Sequence, residues 1–240
     1  DHRIKSKAFL VALGFNQDGK SEILDFQVYD AEDNYSWINF FQGIKDRGVN
    51  APLMIISDAH KSIVKAVGSV FPGTAWQRCQ VHLRRNILDA ANPKYKEGIR
   101  LELQEMFNAD TIEEARRIKD RIIEDYSDVS EKAMKILEEG FEDSMTVMNF
   151  TSKQMRVALR TTNKLERINR EFKRRSDVIQ IFPNMASIQR LMGAVAMECN
   201  DALEIKTAVY TRLRIKRLKE TGIEVKLAQI AREQQFAHAA

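Results

Sequence analysis

Apolar positions along the chain follow two rhythms, with a change near residue 83. Before it they come in short runs or alternate, and after it they recur at helical spacing inside long charged stretches. Ala8 to Phe15 forms a short apolar run closed by the turn signal Asn16-Gln17-Asp18-Gly19, which predicts a strand entering a hairpin. The partner strand runs from Glu22 to Tyr29, where Ile23, Leu24/Phe26 and Val28 roughly alternate, and it ends in the polar cluster Asp30 to Asn34. From Tyr35 to Arg47, Trp37, Phe40, Phe41 and Ile44 recur at helical spacing, and Gly48 stands where a helix C-terminus favours a left-handed residue. Leu53 to Ile56 is a four-residue apolar stretch between that helix and Ser57-Asp58, the pattern of a buried parallel strand.

Ile63, Val64, Val67, Val70 and Phe71 then space as a helix stopped by Pro72-Gly73, and a further strand is expected over Thr74 to Val81. Leu83 to about Arg160 carries no strand pattern, only long charged helices such as Glu97 to Phe107 and Glu113 to Tyr126. Asn163 to Arg175 and Ala186 to roughly Lys219 also read as helix, separated by Phe182-Pro183-Asn184, and the weakly amphipathic tail from Glu220 to Ala240 is expected to fray. The order is strand, strand, helix, strand, helix, strand, a helical insert and a basic helix. The fold class is therefore α/β, an α+β mixed sheet.

Composition narrows the class. The 240 residues are 44% hydrophobic with 30% charged residues of both signs, which suits a soluble globular chain with a sizeable core. No stretch approaches the ~18 apolar residues that span a bilayer, and the opening Asp1-His2-Arg3-Ile4-Lys5 lacks the apolar stretch of a signal peptide, so the expected address is the cytoplasm. Two cysteines exclude a disulfide scaffold, and with four scattered histidines they do not readily build a four-ligand zinc site.

Charge is segregated. Glu97 to Asp143 holds 15 acidic and 7 basic residues, a net of −8, whereas Lys153 to Lys219 holds 16 basic and 6 acidic residues, a net of +10. The second segment could face phosphates, although solvated helix faces are often basic too.

Few residues stand out as candidate chemistry. Asp58 follows a buried strand, where open α/β sheets place ligand and metal groups, but its position alone favours an N-cap for the next helix. Glu166, three residues after Asn163, resembles a capping box. In that helix Leu165, Ile168 and Phe172 form the core stripe, which leaves Glu166, Asn169, Arg170 and Lys173 on another face. Carboxylates beside Lys and Arg suit a hard-metal site that handles phosphates, and an exposed helix with ion pairs would look the same. Cys79 and His82 make half a metal site with no second pair at finger spacing, and read as structural.

The combination says more than its members. Ser57-Asp58-Ala59-His60-Lys61, Trp76-Gln77-Arg78-Cys79-Gln80-Val81-His82, Arg85-Asn86, the run from Thr161-Thr162-Asn163 to Arg175, and Phe182-Pro183-Asn184 stand in this order, preceded by Ala12-Leu13-Gly14 and Asp18-Gly19. Across residues 1 to about 200 the sequence resembles transposases of bacterial insertion sequences related to the plant Mutator elements.

That resemblance implies a ribonuclease H-like catalytic core with an Asp-Asp-Glu triad, interrupted by an all-α insertion. Asp58 matches the second aspartate, Glu166 the glutamate 108 residues later, and Cys79-x-x-His82 a family signature between them, with Asn163 and Asn169 inside the Thr-Thr-Asn helix. The implied domains are 1–82 for the first part of the core, 83–160 for the insertion, 161–219 for the helical remainder of the core, and 220–240 for a tail. The first aspartate is expected upstream, because Asp1 falls after its position in the family pattern. Asp25 is the in-chain substitute. The family's first strand is central in its sheet, so without it two edges are exposed and the chain is expected to be unstable and inactive alone.

The implied reaction is metal-dependent cleavage at transposon ends followed by strand transfer into target DNA. Two Mg²⁺ ions, ~3.5 to 4 Å apart, would sit on the carboxylates, with Mn²⁺ as a substitute. Lys164, Arg167, Arg170, Lys173, Arg174 and Arg175 are the expected phosphate contacts. Homo-oligomers are expected in synapsis, association with the nucleoid follows from the DNA partner, and no membrane partner is expected. Two departures from the family pattern bear on packing: Thr151 to Leu159 lacks the usual Pro and Trp, and Ser62 stands where Gly is usual. The alternative functions are a non-catalytic DNA-binding or domesticated remnant, and a structural-metal regulator built on Cys79 and His82.

Overall fold

The computed structural model describes residues 6–50 and 52–239, so Asp1 lies outside the described residues. The chain divides into two compact units.

The first unit is built on a hairpin. β1 (Ala8–Phe15) pairs antiparallel with β2 (Ser21–Tyr29), from Ala8 opposite Tyr29 to Phe15 opposite Ser21, and the register slips after Ala12 so that Leu24 has no partner across the ladder. The turn is closed by Gly19 donating to the Asn16 carbonyl at 3.0 Å, and the Asn16 side chain accepts from Asp18 N–H and Lys20 N–H. Gly19 has φ +73°, a left-handed conformation that glycine adopts without steric cost. Two helices cover one face of the hairpin: α7 (Asn163–Ile179) lies against β1 and α8 (Met185–Glu204) against β2. Val11, Ile168, Phe172, Met192 and Val195 form the buried centre, and the Phe172 ring is 4.8 Å from that of Phe9 and 6.1 Å from that of Phe26. α1 (Asn34–Asp46) is capped by Asp33, whose carboxylate accepts the Ser36 N–H, and it packs against α2 (Lys61–Val70). A short ninth helix, α9 (Arg212–Glu220), also belongs to this unit.

The second unit holds the other sheet and most of the remaining helices. β3 (Met54–Ser57) and β4 (Ala75–Arg78) run parallel. After them come α3 (Gln80–Ala90), α4 (Lys96–Asn108), α5 (Ile112–Ser144, kinked at Ser130), a 3₁₀ turn at Thr146–Asn149 and α6 (Lys153–Leu159). Leu83, Ile87, Ile99, Leu103, Ile122, Leu137 and Phe141 make its core. α5 passes close to β4 and α3 at Gly140, where a Cβ would lie 2.5 Å from an Arg78 guanidinium nitrogen. Gln77, fully buried, joins β4 to the end of α5 and to the 3₁₀ turn: its amide nitrogen donates to the Ser144 carbonyl and its oxygen accepts the Val147 N–H.

The chain is thus mixed α/β and mostly helical, with two small sheets. Three segments differ from the sequence expectations. The fourth strand stops at Arg78 instead of Val81, because Cys79 N–H turns to the Ser57 carbonyl at 2.7 Å and Cys79 becomes the N-cap of α3. The helix expected from Ala186 to Lys219 breaks after Glu204, because residues 205–211 bind the hairpin turn and Thr211 starts a new helix by accepting the Arg214 N–H. The tail does not fray. It forms α10 (Ile223–Ala239), which buries Ile223, Leu227 and Ala231. The Gln234 side chain meets the edge of β4, accepting the Trp76 N–H at 2.9 Å and donating to the Trp76 carbonyl at 2.7 Å.

Candidate active site

Asp58 stands one residue past the carboxyl end of β3, in an exposed loop ahead of α2. Its carboxylate accepts the His60 N–H at 3.3 Å, so it shapes its own turn; α2 begins only at Lys61. Glu166 lies half-buried in the first turn of α7, where the positive end of the helix favours a carboxylate. The two belong to different units.

Cys79 is fully buried and unites three parts of the second unit. Its N–H donates to Ser57, the residue before Asp58, and its Sγ accepts from Thr162 N–H at 3.4 Å and lies 3.3 Å from Thr162 Oγ1. Thr162 directly precedes α7. Gln80 N–H donates to the Arg160 carbonyl at 3.0 Å and strengthens the same junction. His82 comes next in the first turn of α3, half-buried. Cys79 is thus a packed, hydrogen-bonded thiol, its sulfur buried and engaged by Thr162. The sequence marked Cys79 but not its partner, since Thr162 is 83 positions away.

The basic residues of α7 fall into three kinds. Lys164 points inward, donating to Ser21 Oγ at 3.0 Å with its ammonium 4.9 Å from the Phe15 ring centre. Burial, and then the nearby charge of Lys206, push its pKa down. Arg167, Arg170 and Lys173 are exposed, as are Asn163 and Asn169. Arg174 is bound to Glu171 at 2.8 Å and Arg175 to Glu198 at 2.8 Å. Exposed pairs of this kind open at little cost when a phosphate competes for the cation.

Asp25 is already engaged: Arg47 lies 2.8 Å from its carboxylate, which also accepts the Phe26 N–H. Asp58 and Glu166 supply the oxygen donors that Mg²⁺ prefers, and Asp58 is open to solvent. Among the described residues no group of three or more His, Cys, Asp or Glu side chains is gathered so as to hold a metal ion.

The proteins to which this chain is similar are transposases. The family description "Transposase, Mutator family" matches residues 1–205, and the chain belongs to that family. It is 38% identical over 203 residues to the transposase for insertion sequence element IS256 in transposon Tn4001 of Staphylococcus aureus, covering 84% of this chain and 52% of that protein. It is 37% identical over 193 residues to the transposase for IS1081 of Mycobacterium tuberculosis, covering 80% and 46%. A probable insertion-sequence transposase of Corynebacterium diphtheriae is 25% identical over 239 residues, 96% of this chain and 69% of that protein. The chain spans about half the length of the first two relatives. Among the described residues no helix is long and apolar enough to cross a membrane.

Proposed function

We propose that this chain is the catalytic segment of a DNA transposase that cleaves transposon ends and joins them to target DNA, with Asp58 and Glu166 as two of its three metal-binding carboxylates. The observation that carries the reading is the placement of Asp58, exposed one residue beyond a parallel strand, in a chain of the Mutator transposase family. Bound Mg²⁺, or Mn²⁺ in its place, would activate the attacking water or 3′-hydroxyl and stabilise the leaving oxygen. The chain's own groups do the rest. Asp58 offers carboxylate oxygens at the mouth of β3, Cys79 holds the backbone ahead of both carboxylates, and Arg167, Arg170 and Lys173 bind phosphates on either side of the reacting one without reading sequence.

The reading includes a ribonuclease H-like sheet. Such a sheet contains an antiparallel hairpin, as β1–β2 is, and parallel neighbours, as β3–β4 are. A non-catalytic DNA-binding remnant is the second reading; it would use the exposed cations Arg167, Arg170 and Lys173 without cleavage.

The test uses the full-length transposase and a DNA duplex carrying the element's ends. Asp58→Asn and Glu166→Gln should each abolish Mg²⁺-dependent cleavage and strand transfer while DNA binding is retained. Unchanged cleavage in either variant would remove that residue from the site, and a wild-type protein that binds DNA without cleaving it would establish the remnant.

A further inference from the structure

Residues 206–219 hold six Lys or Arg and no Asp or Glu, immediately past the segment that the family description matches. They are Lys206, Arg212, Arg214, Lys216, Arg217 and Lys219. The last five lie on α9, which turns buried Leu218 and half-buried Ile215 inward and leaves all five cations exposed. A helix C-terminus favours cations, which accounts for Arg217 and Lys219. α9 as a whole carries five cations against the single carboxylate Glu220, and like charges three and four residues apart on a helix repel one another. A segment that accumulates this repulsion is suited to a polyanion.

The fold also holds the segment firmly at a particular place. Arg212 clasps the Asp18 carboxylate through two bonds of 2.7 and 2.8 Å, the Tyr210 hydroxyl donates to the Asn16 carbonyl at 2.9 Å, and Val209 N–H donates to the Gly19 carbonyl at 3.0 Å. Lys20 reaches back to the carbonyls of Glu204 and Lys206. The turn end of the β1–β2 hairpin is thus the seat of α9. The same end receives the start of α7: the Phe15 ring has the Lys164 ammonium 4.9 Å from its centre and the Tyr210 ring 6.5 Å away. Burial lowers the Lys164 pKa and the charge of Lys206 adds to it, so cations of both segments come near each other there.

We propose that Lys206 and α9 form a second contact with the DNA backbone, in addition to the basic face of α7, next to the helix turn that carries Glu166. The contact is with phosphates and is independent of sequence. Anchoring at both the hairpin and Thr211 presents the cations already in place, so binding orders little additional chain. This rests on the reading of the chain as a transposase segment.

The experiment measures binding of full-length transposase to a duplex of about 40 random base pairs, by fluorescence anisotropy, between roughly 50 and 200 mM KCl. Each phosphate contact contributes about 0.9 to the slope of log affinity against log salt. Lys216→Ala with Arg217→Ala should make the slope shallower by about 1 to 2, and the charge-conserving pair Lys216→Arg with Arg217→Lys should restore it. Because both positions are exposed, thermal melts should match wild type, which separates lost contacts from lost folding. An unchanged slope in the alanine variant, alongside a shallower one for Arg170→Ala with Lys173→Ala, would overturn the proposal and make α9 a solvated face. Unaltered DNA binding with lost binding to phosphatidylserine vesicles would overturn it in favour of a membrane surface. Asp58→Asn should leave the slope as it is. If Asp58→Asn still cleaves DNA, the catalytic reading falls while the α9 result stands on its own.

Discussion

Replacing Gly19 by alanine tests how residues 205–222 are held. Gly19 sits at φ +73°, and a Cβ built there would lie 2.2 Å from the Tyr210 carbonyl oxygen and 2.6 Å from its nitrogen. Two costs combine. An L-residue in the left-handed region costs about 1 to 2 kcal/mol. Backbone cannot yield as a flexible side-chain end does, so the Tyr210 peptide must move away, which disrupts the Val209–Gly19 bond and the packing around Tyr210, at about 1 to 3 kcal/mol more. The sum, about 2 to 5 kcal/mol, is a large part of a typical domain stability. Gly43 is the control, since it lies inside α1 with nothing within 4 Å of its would-be Cβ. There the same change should stabilise by about 0.5 to 1 kcal/mol, because alanine loses less entropy than glycine in a helix. Urea unfolding of both variants, with hydrogen exchange at the Val209 amide, reads the two effects separately. If Gly19→Ala cost less than about 0.5 kcal/mol, or left Val209 protection intact, the docking of this segment on the hairpin turn would be refuted.

Three further outcomes are expected. Gln234→Ala removes the acceptor of the Trp76 N–H and one of two donors to its carbonyl, Thr146 Oγ1 remaining, and should destabilise the second unit by about 1 to 3 kcal/mol in chemical unfolding, whereas an exposed change such as Gln229→Ala should be nearly neutral. Cys79→Ala should cost about 1 to 3 kcal/mol and slow DNA cleavage by the full-length protein, with Cys79→Ser recovering part of the rate because serine can also accept the Thr162 N–H. Hydrogen bonding from Arg212, aided by its charge, holds the Asp18 carboxyl below its ordinary value of 3.8. The folded pKa is the lower one, so this clasp contributes above that ordinary value and is lost as pH falls below it; acid titration of Val209 amide protection should show a transition there that Asp18→Asn abolishes.

Local pattern accounts for a good deal of this fold. The apolar run at Ala8–Phe15 and the Asn16–Gly19 turn form the hairpin, and the spacing of Trp37, Phe40, Phe41 and Ile44 is the buried stripe of α1. Asp58 and Glu166 stand out as candidates only through the order of motifs around them, since by position alone each reads more readily as a helix cap. The structure gives Asp58 a turn of its own and places Glu166 in the first turn of α7. Lys164 looked like one more surface cation, yet it is engaged by Ser21 and Phe15, because its inward neighbours come from 143 and 149 positions earlier in the chain.

Features that depend on neighbours within a turn of helix or a stretch of strand were readable from the amino-acid order: the alternation that makes β1 and β2, the helical stripes, the charge segregation, and the motif order that marks a Mutator-family transposase. Long-range contacts set the places where the chain departs from those rhythms. The break after Glu204 answers to Gly19 and Asp18, almost two hundred residues away, and α10 is ordered because Ile223, Leu227 and Ala231 find a buried surface and Gln234 finds the backbone of Trp76. Propensities over residues 205–240 are too weak to fix either outcome, so the free energy that selects them comes from surfaces and hydrogen-bonding groups that only the folded chain brings within reach.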